Sequence, residues 1–314
     1  MKTVIKTIGF LLLAVVVLAA LGAAFISFRG IPKYEPAKLD VTVEVTPQRI
    51  ERGMKLASML CNNCHYNDKT GKLTGRAMKE VEIFGDIRSL NITKHPDKGI
   101  GKWTDGELIV FIRTGVRPDG QYVPPYMVKL PNLSDEDLNS IIAFLRSDNV
   151  LVQPDETELP PTEPNFFAKF LANIAFKPFP MPTKPIANPD TTNVLEWGKY
   201  LTLYQLECYS CHSKDFATND FFEPEKSVGY FGGGNPMLDL EGKPIITRNI
   251  TPDKETGIGN WTEEQFMKAV RYGIREGKPA LRYPMIPYSQ LTDSEAKAIY
   301  AFMKTVPPIV NKVE

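Results

Sequence analysis

Two short stretches constrain this chain more than anything else in it. They are Cys61-Asn62-Asn63-Cys64-His65 and Cys208-Tyr209-Ser210-Cys211-His212. Two thiols three residues apart, followed at once by an imidazole, are what covalent haem attachment needs. The thiols add to the two haem vinyl groups, and the histidine lies under the ring and ligates the iron. With 4 Cys and 3 His in 314 residues, a cysteine is followed by x-x-Cys-His by chance about once in 8,000 tries. The rival chemistries fit less well. A thioredoxin-like Cys-x-x-Cys needs a surrounding βαβ pattern, which the sequence lacks. A single zinc site would have to join two distant pairs, each with its own histidine. Two plain disulfides leave both histidines without a purpose. All four cysteines are used by the two motifs, so two covalent haem c groups are expected, bound through Cys61, Cys64, His65, Cys208, Cys211 and His212.

The N-terminus adds a location. From Ile8 to Phe28 no residue is charged, and Leu, Val and Ala dominate. That length spans a bilayer and exceeds a usual signal-peptide core. No clear small-x-small cleavage site precedes Arg29 and no cysteine follows closely, so an uncleaved anchor is expected over residues 1–30, with a cleaved signal peptide as the alternative. Flanking charges do not orient it, because Lys2 and Lys6 are matched by Arg29 and Lys33. Haem attachment does: it takes place outside the cytoplasm. A single-pass protein of the cytoplasmic (inner) membrane with its body on the periplasmic side is expected. The 37 basic and 37 acidic residues balance, which gives no reason to expect nucleic acid as a partner.

An internal repeat organises the rest. Asn91-Ile92-Thr93 recurs as Asn249-Ile250-Thr251. Gly99-Ile100-Gly101-Lys102-Trp103-Thr104 recurs as Gly257-Ile258-Gly259-Asn260-Trp261-Thr262, at the same offset of 158 residues. Arg113 and Arg117 match Arg271 and Arg275, and Leu133-Ser134-Asp135 matches Leu291-Thr292-Asp293. The haem motifs lie 147 apart, so the second copy has a longer loop, which includes Gly229 to Gly234. A helix from Pro47 to Leu60 is expected to deliver Cys61, with Ile50, Met54, Leu56 and Leu60 on its apolar face. Capping boxes start helices at Thr104 with Glu107, Thr262 with Gln265 and Thr292 with Glu295, and Ser134 starts another. The later helices should bury Leu138, Ile141, Ile142 and Leu145, matched by Ala296, Ile299, Tyr300 and Met303. The expected layout is a tether over 31–46 with one strand at Val41–Val45, a haem unit over 47–149, a linker over 150–190 and a second haem unit over 191–310. The linker holds nine prolines between Val150 and Pro189, the composition of a semi-rigid spacer. Inside it Phe166 to Phe176 forms a short apolar helix, expected to pack on a haem unit, with a membrane or partner contact as the alternative.

A haem with histidine alone is open to small ligands, whereas an added methionine sulfur closes it and raises its potential. The repeat nominates Met127 and Met285, which are equivalent and follow prolines in Pro124-Pro125-Tyr126-Met127 and Tyr283-Pro284-Met285. A proline-stiffened loop suits a ligand held at one place. Met78 and Met237 form a competing pair, and His95, unmatched in the second copy, is expected on the surface. Trp103, Trp261, Arg113 and Arg271 are candidates to bond haem propionates or, equally, ordinary core and solvated residues.

These residues resemble a class I cytochrome c repeated twice. The narrower resemblance is to the multi-haem cytochrome c subunits of membrane-bound alcohol, gluconate and related sugar dehydrogenases. It is carried by Asn249-Ile250-Thr251-Pro252-Asp253, Gly257 to Thr262, Pro284-Met285-Ile286-Pro287-Tyr288 and Pro118-Asp119-Gly120 with Met127, over about 47–148 and 193–308. It implies an all-α fold of two tandem cytochrome c domains joined by a Pro-rich linker behind an N-terminal transmembrane helix. It also implies Met127 and Met285 as sixth ligands and crossing first and last helices with Gly53 and Gly198 at the contacts. Those relatives usually have three haem motifs and often a C-terminal membrane attachment, where this chain has two motifs and an N-terminal apolar run. The function expected is a dihaem electron carrier between a dehydrogenase or quinol-linked donor and a downstream cytochrome or terminal oxidase. The alternative is a dihaem peroxidase, in which one iron would have to open.

Overall fold

Helix α2, Pro47–Leu60, begins where Thr46 turns its hydroxyl onto the Arg49 N–H and Pro47 presets the first helical φ. It crosses α5, Asp135–Arg146, at Gly53, where a Cβ would lie 1.8 Å from the Ser140 carbonyl oxygen. Only glycine allows so close a crossing. The same arrangement recurs farther along. Helix α7, Val194–Tyr200, continues through one π-turn over Leu201–Gln205 and crosses α10, Asp293–Met303, at Gly198. There a Cβ would lie 2.0 Å from the Ala298 carbonyl oxygen. The computed structural model describes residues 2–313.

Short helices complete each pair. Unit one adds α3, Asn62–His65, and α4, Asp105–Thr114; unit two adds α8, Cys208–His212, and α9, Glu263–Tyr272. The capping boxes at Thr104, Thr262 and Thr292 are formed, and Ser134 accepts from the Asp137 N–H. Leu138, Ile141, Ile142 and Leu145 are buried on α5, and Ala296, Ile299 and Met303 on α10, with Tyr300 half-buried. Each large aliphatic chain removed from water contributes about 2 kcal/mol before entropy is counted. On α2 the buried face is Gly53, Leu56, Ala57 and Met59, and Met54 is exposed, unlike the expected stripe. The close crossing at Gly53 turns that face toward α5 and Met54 away from it.

The units grip each other through equivalent positions. Lys55 on α2 reaches Glu295 on α10 at 2.6 Å. The Tyr200 hydroxyl on α7 donates to Asp137 on α5 at 2.6 Å and accepts from the Ser134 N–H at 3.1 Å. Asp137 and Glu295 are repeat counterparts, so each unit's first helix bonds the last helix of the other. Apolar residues of both units join one core.

Two segments behave differently from the sequence expectation. Val41–Val45 forms no strand: Val43 is buried and its N–H bonds the Asp105 carboxylate at 2.8 Å, which ties the segment to α4. Residues 150–190 run as a strap over unit one rather than standing free between the units. Leu151 and Val152 accept from Leu73 and Lys94, and β2, Glu163–Pro164, pairs antiparallel with β1, Gly85–Asp86. The Ile186 N–H bonds Asp135 at 3.0 Å. The longer second loop folds back as a hairpin of β3, Pro236–Leu238, and β4, Pro244–Ile246. Helix α1, Lys2–Arg29, is long and apolar enough to cross a membrane and has no buried residue.

Candidate functional site

Each Cys-x-x-Cys-His stretch is one helical turn. In unit one, Cys61 caps α2, its N–H bonding Ala57, and α3 then brings Cys61, Cys64 and His65 round a single turn. In unit two, α8 does the same for Cys208, Cys211 and His212. All four thiols are free of disulfides. Burial pushes Cys61 and Cys208 up to about 12, so these thiols stay protonated.

Each histidine is aimed by the main chain. His65 Nδ1 donates to the Leu90 carbonyl oxygen at 2.7 Å, and His212 Nδ1 to that of Arg248 at 2.8 Å. Leu90 and Arg248 are repeat counterparts. The bond fixes the tautomer and leaves Nε2 with a free lone pair, the form an iron ligand needs. Burial lowers the pKa of both rings, which holds them neutral. The histidine carbonyls are held as well, by the N–H of Gly75 at 2.8 Å and of Gly233 at 2.6 Å. Both glycines have positive φ, and a Cβ on either would meet backbone within 2.5 Å. Thiols for two vinyl groups, a neutral imidazole with an open nitrogen and a glycine-tight approach fit haem c on each turn.

The loop that presents those carbonyls explains the repeated Asn-Ile-Thr. Asn91 accepts from the Thr93 N–H and donates to the carbonyls of Asp155 and Thr157. Asn249 accepts from Thr251 and donates to Ile309. These asparagines lock the segment whose preceding residue orients the histidine. A main-chain acceptor leaves no side-chain signal, but the repeated asparagine beside it does.

The four methionines separate. Met127 and Met285 are half-buried on their proline loops. Met127 closes a turn onto the Pro124 carbonyl, and the Tyr283–Pro284 peptide is cis. Tyr288, three residues beyond Met285, packs with Met285 and Cys208 against the same core, and burial raises its pKa. That places the Met285 loop against its own motif. Met78 and Met237 are engaged in backbone pairing, with Ile87 and Ile245. His95 accepts the Asp97 and Lys98 N–H groups within a turn.

Arg113 corrects an expectation. It is 1% exposed and donates to the carbonyls of Leu130, Pro131 and Leu133 and to Asp135. It is neither solvated nor free for a propionate; it pins the chain between the Met127 loop and α5. Arg271 bonds Asp293. Trp103 packs edge-on against Phe111 at 5.4 Å.

The sites also meet across the unit boundary. The Tyr283 hydroxyl, on the Met285 loop, donates to Glu80 at 3.2 Å. Glu80 pairs with Arg76, which donates to the Asn63 carbonyl inside the first motif at 2.7 Å. On the other side Lys129, two residues past Met127, is buried within electrostatic reach of Glu207, which directly precedes Cys208. Burial drives Lys129 well below the usual lysine range and pushes Glu207 up to about 8. Each methionine loop is therefore linked to the other unit, through Tyr283 to Glu80 and through Lys129 to Glu207.

Residues 50–148 match the family model of cytochrome c. The chain is 27% identical to the fructose dehydrogenase cytochrome subunit of Gluconobacter japonicus, over 82% of this chain and 52% of that protein. It is 39% identical to the gluconate 2-dehydrogenase cytochrome c subunit of Pantoea cypripedii, over 36% of this chain and 24% of that one. A diheme cytochrome c-type protein of Cereibacter sphaeroides is 28% identical, over 79% of this chain and 82% of its own length. The chain thus spans about half the length of the fructose dehydrogenase subunit and most of the diheme protein.

Proposed function

We propose that this chain, which carries a cytochrome c domain at residues 50–148, is a membrane-anchored dihaem electron carrier. The observation that carries the reading is the duplicated turn: two thiols and an imidazole whose Nδ1 is spent on a main-chain carbonyl, once at His65 and once at His212. Cys61 and Cys64 hold one haem and Cys208 and Cys211 the other, with His65 and His212 as proximal ligands. Met127 and Met285 complete the sites. The two domains occupy 47–149 and 191–310, with 150–190 as their connection. Bound haem supplies one-electron chemistry between ferrous and ferric iron. The chain's own residues hold the rings, keep the imidazoles neutral and oriented, and exclude water.

The diheme relative supports the count of two, and the dehydrogenase subunits support the class of donor. Electrons come from a dehydrogenase or quinol-linked complex and leave to a cytochrome or terminal oxidase. Helix α1 anchors the chain in the cytoplasmic membrane, with both haem domains on the periplasmic side. Haem quantification on purified holoprotein tests the reading. Two haems per chain are expected, falling to one when Cys208 and Cys211 are both replaced by Ala, and likewise for Cys61 and Cys64. A wild-type content of one haem would contradict it.

A further inference from the structure

The helix α6, Phe166–Ile174, is built inside out. Its buried residues are the small ones, Ala168 and Ala172. Among its large apolar residues Leu171 is half-buried, while Phe166, Phe167, Phe170 and Ile174 point outward, each between 36 and 57% exposed. Phe166 and Phe170 stack on one another in the open, 6.1 Å apart. The helix contains no acidic residue, and Lys169 lies within it. A surface helix of a water-soluble body turns its large apolar side chains inward; one that puts them outward is made for an apolar environment.

What covers it is given by its neighbour. Asn173 of α6 donates to the Gly30 carbonyl, the first residue after α1, at 2.9 Å. The exit of α1 is further sewn to unit one by the Tyr34 N–H on Gly120 and by Tyr34 edge-on to Tyr122 at 5.8 Å. The outward phenylalanines thus continue the apolar surface of α1 where that helix leaves the body.

We infer that α6 is a second membrane element, lying in the lipid interface beside α1 with Phe166, Phe167, Phe170 and Ile174 in the acyl boundary. The inference rests on α1 being a bilayer-spanning anchor. Two attachments fix the body's orientation where one would leave it free to turn. They also set which site faces the membrane. Phe84 stacks on Phe167 at 6.1 Å and meets Tyr126 at 6.2 Å, which links α6 to the Met127 loop. Unit one is therefore the membrane-proximal unit, with its methionine loop toward the lipid surface.

The test uses the full haem-loaded chain in nanodiscs of phosphatidylethanolamine and phosphatidylglycerol. A photoreactive benzoylphenylalanine replaces Phe170 in one variant and Leu13, within α1, in another. Illumination is followed by mass spectrometry. Phospholipid adducts at both positions are expected. Adducts at position 13 with none at 170, or with cross-links from 170 to protein only, overturn the role of α6 and leave the anchor standing. No lipid adduct at position 13 overturns the anchor reading itself, and this inference with it.

Discussion

Units one and two share a skeleton and differ in how tightly they are closed. Both cross their long helices at a glycine, both aim a histidine at the carbonyl before Asn-Ile-Thr, and both tighten the motif with a positive-φ glycine. Unit one is additionally covered by the 150–190 strap. Its His65 is 9% exposed, while His212 is only half-buried. Its Arg113 is sealed among carbonyls, while the equivalent Arg271 makes one ion pair, to an exposed Asp293. The lesson is that the repeat keeps the parts that orient the two histidines and lets the surrounding shell diverge. An equivalent residue has an equivalent role only where the same main-chain groups reach it.

The arginines offer the widest split between the units. Arg113→Met leaves three buried carbonyls without their guanidinium donor and removes the ion pair to Asp135, and should cost about 3–5 kcal/mol in chemical unfolding of the holoprotein. Arg271→Met should cost about 1 kcal/mol or less, since its partner is solvated. Equal losses would mean that the two shells are not different after all.

The glycines test the opposite half of the comparison. Gly53→Ala and Gly198→Ala each drive a methyl into a backbone carbonyl, at 1.8 and 2.0 Å. Both should lose about 3 kcal/mol, by similar amounts, because the backbones must part. A large asymmetry between them would sharpen the account by showing that one helix pair yields more easily.

A third contrast concerns the residue before the first cysteine. Unit one has Leu60 there and unit two has the buried Glu207. Its folded pKa of about 8 lies above the ordinary 4.5, so the folded state holds a proton that the unfolded chain has lost. That contribution is full below about pH 4.5 and is lost as pH rises through about 8. Denaturant midpoints between pH 5 and pH 8.5 should fall less in Glu207→Gln than in the wild type. Parallel curves for the two proteins would show that Glu207 is already ionised in the folded protein.

Much of the site was legible because it is carried by side chains at fixed spacing. The two motifs, the three capping boxes and the 158-residue offset placed the cysteines, the histidines and the helix starts. What escaped was set by main chain or by tertiary context. Leu90 and Arg248 act through carbonyls, which any residue supplies. Arg113 has the same letter whether it is solvated or sealed. Val41–Val45 alternates like a strand, yet the Val43 N–H goes to Asp105 instead of a neighbouring strand. Helix α6 was readable as apolar, but not as turned outward, since its direction depends on which face the strap lays down.

Carbon monoxide binding to the fully reduced holoprotein tests the central claim most directly. With Met127 and Met285 on the irons, neither haem should bind the gas on mixing, and the reduced spectrum should stay unchanged. Met285→Ala should then open one haem, and Met127→Ala the other. Prompt binding by half of the haem in the wild type would contradict a pair of closed electron-transfer sites and would point to one iron open for chemistry.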